Sequence, residues 1–413
     1  MRIALCNHRY FISGGPEKYL FKFKALAEER GNTVMPISVH SPENEKCEYE
    51  DYFFTSASKS GDAYFNPDDK SIATLAKSIT RHFYSYEVYN KTRRFVEEQK
   101  PDVAYVLHYL NKISPAIIDS FINNDVPCVV RVSDFGSICP QAHLYAHGKI
   151  CEECIERGYH RCIANRCVKG SLAASSVKVF AYYFNLLLRH RHRISAFIFP
   201  SLFTMEKYIR CGFPAEKCYH VPTMVESLAD EPAISNSPDC ILYVGRFVQE
   251  KGVHHLLEAY AGCKSGTLPL CLVGYMGKTN YEVSLKRDYG SIATFKDFTS
   301  GEELNEMYAN ASFVVVPSVW YDNQPNVLLE AALRSKMVVV PRHGCFTDLV
   351  EDGVTGLFYN PDDVVDLSKK IFWASNNADA VRAMGVNASK RVRELHSSES
   401  HFYRVMDIFN SVR

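Results

Sequence analysis

The sequence predicts an α/β protein of two doubly wound domains, each a parallel sheet covered by helices, facing one another across a cleft. Three observations carry that expectation. Short β-rich runs alternate with amphipathic stretches in two separate cycles, from Arg2 to Val132 and from Cys240 to Val340. A chain of 413 residues exceeds what a single hydrophobic core usually serves. Between the cycles lies Pro222 to Pro238, rich in proline and small polar residues, where a domain boundary belongs.

In the first cycle, Arg2 to Cys6 reads as a strand. It reaches polar Asn7 and His8 within a few positions, which marks a buried strand and not a signal peptide. A helix follows from about Pro16 to Glu29, then a strand from Thr33 to Val39. The stretch Glu43 to Tyr89 is polar and aromatic and shows no readable period. Val103 to Leu107, a helix from about Pro115 to Ile122, and Pro127 to Val132 complete the cycle. The second cycle contains Ile241 to Val244, Pro269 to Val273, Phe313 to Val316 and Met337 to Val340 as strands separated by helical patterns. The expected bodies are residues 1–225, with a cysteine-rich insertion at about 139–170, and residues 238–397. A last amphipathic helix, 398–413, is expected to pack back on the first domain.

Composition excludes some classes of partner. Lys plus Arg and Asp plus Glu stand at 47 each, so no net charge draws the chain to nucleic acid, and none is expected as a partner. No apolar run approaches the roughly 20 residues that span a bilayer. Most of the 14 cysteines sit singly in apolar contexts, as Cys128 and Cys271 do, and read as buried free thiols of a cytoplasmic protein.

Two runs point to chemistry. Gly245-Arg246-Phe247-Val248-Gln249-Glu250-Lys251-Gly252 places two cations just past a predicted strand, where a diphosphate would be neutralised. Solvated surface cations are the plainer alternative on spacing alone. Asp322 and Glu330 flank Asn323-Gln324-Pro325-Asn326-Val327-Leu328-Leu329. With Pro325 starting a helix, the Asn326 and Val327 amides face an anion and the carboxylates suit sugar and ribose hydroxyls. An unpaired Glu330 ahead of Ala331-Ala332 would be costly in an apolar helix, which favours a purpose for it. Together the two runs describe a site for a nucleotide-sugar.

Elsewhere, Ser13-Gly14-Gly15-Pro16-Glu17 opens the first helix and lets the backbone approach a ligand, or forms a simple turn. His108 and the pair Ser133-Asp134 close strands where cleft-facing residues belong, although a lone histidine is more often structural. Cys151-x2-Cys154-x7-Cys162-x4-Cys167 has the donor set of a closed, structural tetrahedral zinc site, with Cys139 and His160 as spare ligands. Reduced thiols, and disulfides or redox work, are the alternatives. Leu186-Leu187-Leu188-Arg189-His190-Arg191-His192-Arg193 joins an apolar stripe to a cationic run, either a solvated helix end or a contact with an anionic membrane face.

These residues, in this order, resemble the family-four retaining glycosyltransferases over nearly the whole chain. The resemblance rests on Gly14-Gly15-Pro16-Glu17, Lys100-Pro101-Asp102-Val103, Phe199-Pro200-Ser201, Gly245-Arg246 with Lys251-Gly252, and Pro317-Ser318 through Asp322 to Glu330-Ala331. It continues through Gly344-Cys345-Phe346-Thr347-Asp348-Leu349-Val350-Glu351-Asp352-Gly353 to Thr355-Gly356. It implies the GT-B fold of two Rossmann-like domains and transfer of a hexosyl group from a UDP- or GDP-sugar with retention of configuration. No catalytic metal is implied. The acceptor would be a glycan or polyprenyl-linked glycan, in bacterial capsule, O-antigen or exopolysaccharide synthesis, with peripheral contact to the inner membrane face.

By that resemblance Arg246 and Lys251 neutralise the diphosphate, Glu330 holds the ribose and Asp322 lies at the donor sugar. The Gly14 and Gly15 amides, Asn323, Asn326 and Val327 border the donor, while Asp134 and His108 serve the acceptor side. Three departures stand out: Asp322 replaces the family's usual Glu, Cys345 and Asp348 replace a Gly and a Glu, and Ser133 stands where many members carry histidine. A sugar-nucleotide epimerase of the same fold and a non-catalytic assembly subunit are the competing readings. A nicotinamide enzyme lacks its G-x-G-x-x-G run here.

Overall fold

The computed structural model describes residues 1–56, 79–110, 112–225 and 239–413. Part of the stretch Glu43 to Tyr89 and most of Pro222 to Pro238 lie outside the described residues. Two compact units emerge. One comprises Met1–Leu144, Cys151–Thr223 and His401–Arg413, and the other Tyr145–Ile150 and Met224–Ser400.

The first unit holds a six-stranded sheet: β1 (Arg2–Cys6), β2 (Thr33–Ile37), β3 (Val103–Val106), β4 (Cys128–Arg131), β7 (Ala196–Phe199) and β8 (Cys218–His220). Their order is β2-β1-β3-β4-β7-β8, and every pair is parallel. β3, β4 and β7 are buried along their whole length, as strands covered on both faces must be. Helix α1 (Gly15–Glu29) follows β1, α2 (Tyr86–Gln99) precedes β3 and α3 (Ala116–Ile122) follows it. Pro115 caps α3 from outside, so this helix starts one residue later than its apolar pattern suggests. β2 stops at Ile37, and Val39 instead forms an isolated bridge to Phe54.

The second unit repeats the plan with β9 (Cys240–Val244), β10 (Leu270–Tyr275), β11 (Ala293–Asp297), β12 (Ala311–Val315), β13 (Val338–Pro341) and β14 (Gly356–Tyr359). The order is β11-β10-β9-β12-β13-β14, again parallel throughout. Alternate residues feed two separate cores. Ile241, Tyr243, Phe313 and Val339 pack on one face, and Leu242, Val314 and Val338 on the other. The hairpin β5–β6 (Tyr145–Ala146, Lys149–Ile150) turns through His147 and Gly148, both at positive φ, and belongs to this unit.

In each sheet the strand order reverses once, between β1 and β3 in the first unit and between β9 and β12 in the second. Loops diverge at such points and leave a crevice beyond the carboxyl ends of the strands.

Candidate functional site

In the second unit, the loops after β9 and β12 meet at this crevice. Gly252 makes the meeting possible: its φ is +67°, and a Cβ there would fall 1.9 Å from the Pro317 carbonyl oxygen. The Val319 amide donates to the Glu250 carbonyl at 3.1 Å and ties the two loops together. This brings Lys251 Nζ to 2.6 Å from Asp322 Oδ1, while Ser318 Oγ donates to Asp322 Oδ2 at 2.6 Å. Asp322 is 6% exposed, and the Lys251 ammonium lies 5.3 Å from the Trp320 ring centroid. His343 Nε2 lies 3.1 Å from the Ser318 carbonyl and packs against Tyr321 and Phe346. Burial lowers its proton affinity, opposed by that carbonyl and by Asp322.

Helix α12 (Asn326–Leu333) begins where Pro325, in extended conformation, hands over to Asn326. The Asn326 and Val327 amides head its first turn, where a helix has no carbonyl of its own to offer. Glu330 lies one turn in, and its Oε2 accepts a hydrogen bond from Tyr308 at 3.1 Å. Burial, reinforced by that carboxylate, pushes the Tyr308 hydroxyl well above its ordinary pKa. Arg246 is exposed, and its carbonyl is pinned by the Tyr243 hydroxyl at 2.9 Å. The structure therefore pairs Lys251 with Asp322, while Glu330 bonds Tyr308 and Arg246 is anchored through its backbone carbonyl. Asn323 follows Asp322 directly and is half-buried.

The first unit assembles a second cluster at its own reversal. Asn7, just past β1, places Oδ1 3.2 Å from His108 Nδ1, and the His8 and His108 rings meet edge to face at 5.2 Å. His108 Nε2 lies 3.8 Å from Asp134 Oδ2, and Asp134 Oδ1 accepts the Gly136 amide at 2.6 Å. Burial lowers the His108 pKa; Asp134 and Glu17 act upward, Lys112 and Arg131 downward. Gly14 caps α1 in extended conformation, with Ser13 Oγ donating to Glu17 at 3.1 Å. Ser133 Oγ accepts from Arg131 at 3.2 Å and is thereby engaged within the unit.

In the cysteine segment the thiols lie near one another and among ion pairs. Among the described residues no group of three or more His, Cys, Asp or Glu side chains is arranged to hold a metal ion. A hydrogen bond between the free thiols of Cys162 and Cys167 draws Cys167 down to about 7 and pushes Cys162 up. Cys154 is raised to about 12, first by burial and then by Cys139, Cys167 and Cys151. Ion pairs hold the segment: Arg161 to Glu153 at 2.7 Å, and Lys207 to Glu152.

The cationic run after helix α6 (Leu172–Leu187) divides between interior contacts and solvent. His190 and Arg193 both bind the buried Asp119, and Arg191 donates to the Cys211 carbonyl at 2.9 Å. His190 and Arg191 serve the interior of the first unit, while Arg189, His192 and Arg193 are exposed, Arg193 reaching inward to Asp119. Sequence reasoning passed over Tyr308, Trp320, His343 and Asn7. Each acts through a partner far along the chain, and no local pattern marks them.

Comparison with known proteins agrees with this geometry. Residues 225–391 match the family model described as Glycosyl transferases group 1. The sulfoquinovosyl transferase SQD2 of Arabidopsis thaliana is 30% identical over 135 residues, 32% of this chain and 25% of that protein. Alpha-maltose-1-phosphate synthase of Mycobacterium tuberculosis is 26% identical over 211 residues, 48% of this chain and 53% of that one. These matches span from a quarter to about half of the relatives' lengths. Among solved structures, HepE of Anabaena in complex with UDP superposes with a TM-score of 0.66 at 17% identity, covering 100% of both chains. Sucrose-phosphate synthase of Thermosynechococcus elongatus gives 0.69 at 18%, covering 100% of this chain and 98% of that one. The fold is GT-B.

Proposed function

We propose that this protein transfers a hexosyl group from a nucleoside-diphosphate sugar to a glycan or polyprenyl-linked acceptor, with retention of configuration. The observation that carries the reading is the Lys251–Asp322–Ser318 cluster at the β9/β12 crevice, beside the α12 amides. Breaking a glycosidic bond to diphosphate requires positive charge fixed where the leaving group forms. Arg246, Lys251 and the Asn326 and Val327 amides supply it, and Lys251 is already aimed by Asp322. Each Asp322 oxygen keeps a lone pair beyond its present contact, enough for a sugar hydroxyl. Glu330 has a second oxygen for the ribose, and Asn323 lies within reach of the donor. Gly14 and Gly15 would border the reacting carbon, with His108 and Asp134 on the acceptor side. HepE of Anabaena was solved with UDP and with UDP-glucose, in keeping with a nucleoside-diphosphate sugar, UDP- or GDP-linked, as donor.

The acceptor reading places the protein at the cytoplasmic membrane face in bacterial surface-polysaccharide synthesis. Leu172, Phe180 and Leu187 leave α6 with an exposed apolar stripe that suits such a surface. No helix among the described residues is long and apolar enough to cross a membrane.

The test is a panel of nucleotide-sugars incubated with the purified protein, with and without glycan and polyprenyl-linked acceptors. Nucleoside diphosphate should appear only when both substrates are present, with the anomeric configuration kept in the product. A donor sugar altered without any acceptor would make the protein an epimerase. No turnover, with nucleotide still bound, would make it a non-catalytic subunit.

A further inference from the structure

A cavity of about 320 Å³ opens within the first unit, beside His108 and Asp134. Its described lining includes Lys112, Arg131, His143 and Lys178, while Asp134 is its one carboxylate among those residues. Lys178 projects from the middle of α6, and its ammonium lies 3.3 Å from His82 Nε2. The Lys112 ammonium lies 3.4 Å from His8 Nε2. Asp134 spends one oxygen on the Gly136 amide and turns the other toward His108. Among the described residues no carboxylate comes within ion-pair distance of Lys178.

Two ammoniums thus share one concave space and repel one another. Burial and then Lys112 depress the Lys178 pKa to about 8, opposed by Asp134, Cys162 and Cys139. Desolvation and like-charge repulsion both oppose holding the Lys178 ammonium there. A bound anion reverses the sign of both effects.

We propose that this cavity is an anion subsite that binds the phosphate or diphosphate ester of a phosphorylated acceptor between Lys112 and Lys178. The word acceptor rests on the glycosyl-transfer reading; the anion site stands on the cavity alone. α6 would then serve twice, with Lys178 facing the cavity and Leu172, Phe180 and Leu187 facing outward. The chemistry is the same for a polyprenyl phosphate and for a soluble sugar phosphate.

The probe is inorganic pyrophosphate, titrated calorimetrically into the full chain and into Lys178→Met and Lys178→Arg. Lys178→Met should weaken binding by about tenfold or more, the loss of one charge-assisted hydrogen bond, and Lys178→Arg should keep most of it. The ligand-free Lys178→Met protein should melt no lower than its parent, because it has lost a repelled, buried charge. Equal pyrophosphate affinity in parent and Lys178→Met, or none in the parent, would overturn the subsite. So would a lowered melting temperature with affinity kept, which would make Lys178 structural.

Sedimentation with phosphatidylcholine vesicles carrying a polyprenyl phosphate, but not with plain ones, and lost in Lys178→Met, would identify a lipid source. Pyrophosphate binding without vesicle binding would identify a soluble one; either sustains the subsite. Pyrophosphate held through Lys178 in a protein that binds no nucleoside diphosphate would keep the subsite and remove the transferase reading. The reverse result would do the opposite.

Discussion

Lys251 has two tasks that compete. It neutralises a buried carboxylate at 2.6 Å, and the proposed chemistry asks it to face a diphosphate as well. Removing it should therefore cost twice. Turnover in Lys251→Ala should fall about a hundred- to thousandfold, as for loss of one preorganised donor. Denaturant unfolding should show about 3–5 kcal/mol of lost stability, because Asp322 is left charged and buried. Restored stability without restored turnover in Lys251→Ala/Asp322→Asn would separate the tasks.

Asp119 offers a pH signature at the same scale. Burial raises its pKa, but His190 and then Arg193 outweigh that, and the net shift is downward. A lowered carboxylate pKa stabilises the fold above the unfolded value, near pH 4, and the benefit is lost as pH falls through the folded value. Asp119→Asn should thus be less stable than the parent at neutral pH, with the gap closing in acid melts.

Continuous burial made most strands legible, although β7 and β14, buried along their whole length, went unread. β1, β3, β4, β9 and β12 are apolar runs because both faces of a parallel sheet are covered. β11 went unread because it is an edge strand with three of its five residues exposed, so it carries no apolar run. β8 is only three residues long. The donor-side residue types were readable in order, but their partners were not. Tyr308 reaches Glu330 from another helix, and Ser318 meets Asp322 only through the fold of one loop. Lys178 looks like an ordinary helix residue until its cavity is seen.

The last helix, α16 (Ser398–Val412), shows the same division. Its spacing marks a buried face, His401, Phe402, Val405, Ile408 and Phe409, expected to pack on the first domain but without naming the residues it meets there. In the structure Phe409 meets Phe23 and Tyr105 at ring distances of 6.3 and 5.2 Å. The Tyr19 hydroxyl bonds both Tyr105 and His401, at 2.7 and 2.9 Å. Phe409→Ala should cost about 3–5 kcal/mol in denaturant unfolding, the usual effect of emptying a buried aromatic site. A change under 1 kcal/mol would mean that the helix adds little to the first unit.

At the scale of the molecule, the two sheets solve one problem twice. Each reverses its strand order once and gathers its polar residues at that reversal: Asn7, His108 and Asp134 in one, Lys251, Asp322 and Ser318 in the other. The cationic crevice of the second unit is the feature on which the functional account depends. The most direct measurement is a thermal-shift panel of UDP, GDP, ADP, CMP and NAD on the parent and on Lys251→Ala. A ligand at a hundred times its dissociation constant adds about 2.7 kcal/mol to the native state, a readable shift. One nucleoside diphosphate should raise the melting temperature of the parent above the others and lose that effect in Lys251→Ala. A shift with NAD alone, or an equal shift in parent and variant, would contradict the account.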